Sequence, residues 1–123
     1  MTEKKMNPEI KAAWVADLRE NGHLQGVEAL SQPDQEGVQR YCCLGRLCEL
    51  AVEAGVVRRE ALRGGRTLYR GPSEVAHSFL PGAVARWAGL SEVNPVIGDN
   101  WLSDLNDNGT PFSGIADLIE EYL

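Results

Sequence analysis

Arg40-Tyr41-Cys42-Cys43-Leu44-Gly45-Arg46-Leu47-Cys48 is the stretch that decides how the chain is read. Leu44, Leu47, Cys48, Ala51 and Val52 fall at i, i+3, i+4, i+7 and i+8, which is one face of a helix. The spacing predicts a central core helix from Leu44 to Ala54, with Gly55 as its stop. The cysteines at its start are the first candidates for chemistry, because a thiol at a helix N-terminus is activated by the helix dipole.

Upstream, Asn7 as N-cap and Pro8 at the first helical position open a helix carrying Ile10, Trp14 and Leu18 on one face. Asn21-Gly22 ends it. His23 to Leu30, the turn formers Ser31 to Gly37, and Val38 to Cys42 read as a β-hairpin with a long loop. Downstream, Thr67 to Arg70 reads as a third short strand after the turn Arg63-Gly64-Gly65-Arg66. Pro81 opens a helix with Val84 and Trp87 that Gly89 closes. Asp99 or Asn100 is expected to cap a helix bearing Trp101, Leu102 and Leu105, and Asn108-Gly109 turns the chain. Thr110-Pro111 then starts a last helix with Phe112, Ile115, Ala116, Ile119 and Leu123 on its apolar face, giving a C-terminal helical hairpin. The fold class expected is α+β and predominantly α-helical. About five helices accompany a small antiparallel hairpin or three-stranded sheet in one globular domain over residues 1–123.

The 123 residues suffice for one core, and 43% hydrophobic against 24% charged residues lies in the globular range. The opening Met-Thr-Glu-Lys-Lys is too short and polar for a signal peptide, and no apolar run spans a bilayer, so a cytoplasmic protein without a membrane partner is expected. A net charge of -6 argues against nucleic acid as a partner. The odd count of 3 cysteines argues for reduced thiols.

Asp104 to Gly109 matches the first half of a calcium loop, but Ile115 stands where the closing Glu belongs. Leu105 to Ala116 is like the first part of a helix-turn-helix reader, yet no basic recognition helix follows and Glu120-Glu121 sits near the end. Zinc lacks a Cys-x-x-Cys pair, so no metal and no cofactor is expected. A cysteine hydrolase or transferase would use Cys42 or Cys43 with His77, or with His23, oriented by Asn100, Asp104 or Asn106. Cys43 and Cys48 read instead as core filler, which leaves Cys42 as the one candidate reactive thiol. No complete catalytic set is present. Arg40, Tyr41, Arg46, Arg66, Tyr69 and Arg70 form a separate candidate set, a cleft that stacks a ring and clamps an anion.

Cys42-Cys43-Leu44-Gly45 with Leu47-Cys48-Glu49-Leu50 carries a wider resemblance. With it go the Trp14-bearing start, Trp87-Ala88-Gly89-Leu90, Leu105-Asn106-Asp107 with Gly109, and Phe112 with Ile115 to Glu120. Together these residues resemble a recurrent family of small proteins encoded by bacteriophages, prophages and their bacterial hosts. Residues 53–78 have least to match. The resemblance implies a non-catalytic binding protein in the cytoplasm of a bacterial host. Such a protein engages a host defence protein or sequesters an anionic, nucleotide-like signal. The alternatives are the cysteine enzyme and a structural module acting through the C-terminal hairpin, with self-association into a homo-oligomer left open.

Overall fold

A computed structural model of the chain describes residues 5–123; the polar opening, residues 1–4, lies outside the described residues. Asn7 caps the first helix, α1 (Pro8–Glu20), its Oδ1 accepting the N–H groups of Glu9 at 2.9 Å and Ile10 at 3.3 Å. The expected apolar face is buried through Trp14, Val15 and Leu18.

A single 3-10 turn (Gly22–Leu24) leads into an extended loop and then the hairpin β1 (Ser31–Pro33) and β2 (Gln39–Tyr41), antiparallel with Ser31 opposite Tyr41. The hairpin is therefore present, but its first arm is not His23 to Leu30. That segment makes one parallel bridge, Gln25 to Tyr41, and Glu28 takes a left-handed φ of 71°, so it cannot pair as a ladder. Asp34 closes the turn by accepting the N–H groups of Val38 and Glu36 and the Arg40 guanidinium. Those bonds hold its carboxyl below the usual carboxylate range, the Val38 bond most of all.

The central helix α2 (Cys43–Glu53) buries Cys43, Leu44, Gly45, Leu47, Cys48 and Ala51, and Gly55 ends it at a φ of 78°. Residues 58–76 form an antiparallel sheet of β3 (Arg58–Ala61), β4 (Thr67–Arg70) and β5 (Val75–Ala76), in that order. Only β4 was expected. β3 is charged and wholly exposed, so no alternation of apolar residues announces it.

Helix α3 (Gly82–Ala88) follows Pro81 and stops at Gly89 with φ 78°. A Cβ at Gly89 would lie 2.9 Å from the Asn7 nitrogen, because the end of α3 abuts the start of α1. A tight hairpin, β6 (Val96–Ile97) and β7 (Asn100–Trp101), precedes α4 (Leu102–Asp107) and α5 (Phe112–Tyr122). Trp101 and Asn100 thus belong to a strand and not to a helix, because Gly98 with φ 64° turns the chain between Ile97 and Asn100. Helix α1 packs along α5 and against α2, which also meets α3 and α4. Among the described residues there are five α-helices with small antiparallel sheets, an α+β fold. No helix is long and apolar enough to cross a membrane.

Candidate functional site

The N-terminus of α2 is a closed polar knot. Cys42 occupies the cap position without a capping bond of its own, and the cap comes from Asn106 of α4, whose Oδ1 accepts the Cys43 N–H at 3.2 Å. The Asn106 amide nitrogen donates to the Gly26 carbonyl at 2.8 Å and to Asp107. Gln25 donates to Asn106 at 3.0 Å and to the Thr110 carbonyl at 2.8 Å, while its Oε1 accepts the Phe112 N–H at 3.0 Å. Gln25 therefore caps α5 from a distant loop. The Trp14 indole donates to the Cys43 carbonyl at 2.9 Å. Gly45 completes the knot: a Cβ there would sit 1.8 Å from the Leu30 carbonyl oxygen.

That environment is wrong for a nucleophile. Cys42 is 4% exposed, and Cys43 and Cys48 are fully buried. Burial pushes the Cys42 thiol up to about 11, although the Gly45 and Leu44 N–H groups pull the other way. Burial also holds Cys43 and Cys48 well above the ordinary thiol value. Cys43 Sγ faces the Leu102 carbonyl at 3.8 Å. His77 is exposed, its ring bonded to Ser78, and no imidazole among the described residues hydrogen-bonds a thiol. Asn100 is exposed on β7, and Asn106 is engaged in the knot.

The structure distributes the arginine and tyrosine set over separate places. Arg46 binds Asp17 through two bonds, of 2.7 and 2.8 Å, and lies over the Tyr41 ring at 4.6 Å. The Asp17 bond raises the Arg46 pKa above its ordinary value. Arg40 is held by Asp34 and by the His23 carbonyl. Arg70 is paired with Glu60, and among the described residues the Arg66 side chain reaches only Gln32, at 3.4 Å. Tyr69 is fully buried and donates to Glu49 at 2.5 Å, so its ring offers no stacking face. Burial and that bond keep its hydroxyl protonated. Shallow clefts contain Arg40 beside Asp34 and Arg70 beside Glu60, and they share no residue.

A different place is open. Phe79, Val93 and Trp101, exposed by 47%, 41% and 47%, line a cleft of about 660 Å³ with Glu92, Asn94, Ser103 and Asp104. A second hollow of about 300 Å³ shares Phe79, Ser103 and Asp104 and continues to Glu28, Cys42, Ser78 and Asp107. The local chain builds it: the turn at Gly98 swings Trp101 outward, and Asn94 caps α4 by accepting the Ser103 N–H at 3.2 Å and donating to its hydroxyl at 2.8 Å. The Leu80 N–H reaches the Val93 carbonyl at 3.0 Å, which fixes Phe79 beside Val93.

The four carboxylates around the two hollows are Glu28, Glu92, Asp104 and Asp107, and no lysine or arginine lines either. Glu28, Glu92 and Asp104 have no ion pair or side-chain hydrogen bond among the described residues; Asp107 accepts the Glu28 N–H at 3.1 Å. No group of acidic, histidine and cysteine side chains among the described residues is placed to hold a metal ion. Volume and lining suit an apolar ligand oriented by a few polar groups. Sequence reasoning missed the cleft because it set Trp101 on a helix with Leu102 and Leu105; the Gly98-Asp99 pair was the available signal for the turn that exposes it.

No curated protein and no solved structure matches the chain. Over residues 6–123, nearly the whole knot-and-cleft architecture, the sequence matches one family, and the chain belongs to it: a domain of unknown function (DUF8296).

Proposed function

We propose that this chain is a non-catalytic binding protein of phage or prophage type that engages a host protein through the Phe79–Val93–Trp101 cleft. The observation that carries the reading is the cleft itself, where three large apolar side chains, two of them aromatic, are left half exposed around one hollow. The reading is also supported by the thiols, whose burial removes the thiolate a cysteine enzyme needs. Sequestration of a nucleotide-like anion has less support, since Arg40, Arg46 and Arg70 already hold carboxylates. A module acting through the C-terminal hairpin fares likewise: Phe112, Ile115, Ala116 and Ile119 lie inside the core.

The test is affinity purification from a bacterial lysate with wild-type protein, Trp101→Ala and Arg58→Glu as parallel baits. A host protein retained by wild type and Arg58→Glu but lost with Trp101→Ala is the expected result. Retention indifferent to Trp101, or a melting temperature raised by nucleotides in wild type and not in Arg70→Glu, would overturn the reading.

A further inference from the structure

We infer that the occupant of this cleft is a basic segment of the partner protein that carries a large apolar or aromatic side chain, an inference that rests on the binding reading above. The apolar floor asks for an apolar anchor, since covering Phe79, Val93 and Trp101 removes their exposed surface from water. The rim decides the rest. An apolar occupant that closed the cleft would also strip water from Glu92 and Asp104, and an ionised carboxylate buried without a partner is costly. Neither carboxylate has an ion pair among the described residues, so none of those residues offsets that cost. A lysine or arginine flanking the anchor does so, and in the adjoining hollow a second cation would meet Asp107 and Glu28. The indole of Trp101, half exposed at the same edge, adds a face on which a guanidinium or ammonium can sit. An acidic segment or a nucleotide meets the opposite: four carboxylates, no lining cation and a net charge of -6.

The experiment selects peptides from a randomised display library on three full-length proteins: wild type, the double variant Glu92→Lys/Asp104→Lys, and Trp101→Ala. All three substituted side chains lie at the surface, and thermal melts of each protein establish that it is folded before selection. The wild type is expected to enrich peptides with Lys or Arg next to Phe, Leu or Trp. Their affinity should fall about tenfold on the double variant and weaken as salt is raised. Neutral or acidic sequences enriched on wild type and lost on Trp101→Ala would overturn the charge inference and leave the cleft standing as the binding seat. Enrichment of nothing, or of sequences indifferent to Trp101→Ala, would overturn both.

Discussion

The start of α2 and the cleft beside β7 both contain polar and apolar groups in close quarters, yet they differ in how far those groups are satisfied. At α2, Asn106, Gln25, the Trp14 indole and the Cys43 backbone complete one another's hydrogen bonds, and Gly45 admits the Leu30 carbonyl where any side chain would collide. At the cleft, three apolar side chains face solvent and Glu92 and Asp104 have no partner among the described residues. The closed region holds the fold together, and the open one is left with interactions to make. Residues that look chemical in the sequence, such as paired cysteines at a helix start, are therefore better judged by what already occupies their bonds.

Substitutions that break the closed region should be the most damaging. Gly45→Ala drives a methyl into a backbone carbonyl that cannot rotate away, and a loss of at least about 4 kcal/mol is expected in chemical denaturation. Asn106→Ala removes the cap of α2 and leaves the Gly26 carbonyl and Cys43 N–H unpaired, for about 2–4 kcal/mol. Gln25→Ala, which uncaps α5, should cost about 1–2 kcal/mol. Because Gln25 and Asn106 share a bond, a double-mutant cycle should show coupling; strict additivity would separate the knot into independent caps.

How much of this was legible follows the same division. The α2 face, the Asn7-Pro8 start and the Gly55 and Gly89 stops could be read directly, because helical periodicity and capping are local properties of the chain. The caps supplied by Asn106 to Cys43, by Gln25 to Phe112 and by Asn94 to Ser103 could not, since each joins residues that only the fold brings together. β3 escaped because Arg58-Arg59-Glu60-Ala61 is exposed throughout and so has no apolar alternation to mark it. Of the middle-segment arginines Arg46 lies over Tyr41, and its carboxylate partner Asp17 is brought to it only by the fold, whereas Arg40 and Arg70 bind Asp34 and Glu60 from neighbouring parts of their own hairpins. The cleft was hidden by one residue, Trp101, whose size suggests core and whose hairpin turns it to solvent.

The thiols give a pH-dependent probe of the closed region. The pKa of Cys42 rises from 9.0 to about 11 on folding, so the folded state resists the thiolate. Stability is accordingly intact below the unfolded value and declines as pH rises through that window, with Tyr69 adding to the loss from the ordinary tyrosine value of 10.0 upward. Denaturation midpoints across the alkaline range, in wild type and Cys42→Ala, should show a shallower decline in the variant. Native iodoacetamide should label none of the three thiols rapidly at neutral pH.

The smallest effect on stability is expected where the effect on binding is largest. Phe79→Ala and Trp101→Ala remove half-exposed side chains and should change stability by no more than about 1 kcal/mol while abolishing partner capture. If either variant melted far below wild type, the cleft would be part of the closed architecture and the contrast between the two regions would fail.

Site-specific photo-crosslinking in bacterial cells tests the central claim most directly, with the crosslinking amino acid placed at Val93 in the cleft or at Arg58 on the exposed sheet. The account predicts a discrete adduct to one host protein from position 93, absent from position 58, weakened when Asp104→Lys is added and lost with Trp101→Ala. An adduct only from position 58, or one from position 93 that survives Asp104→Lys and Trp101→Ala together, would contradict it.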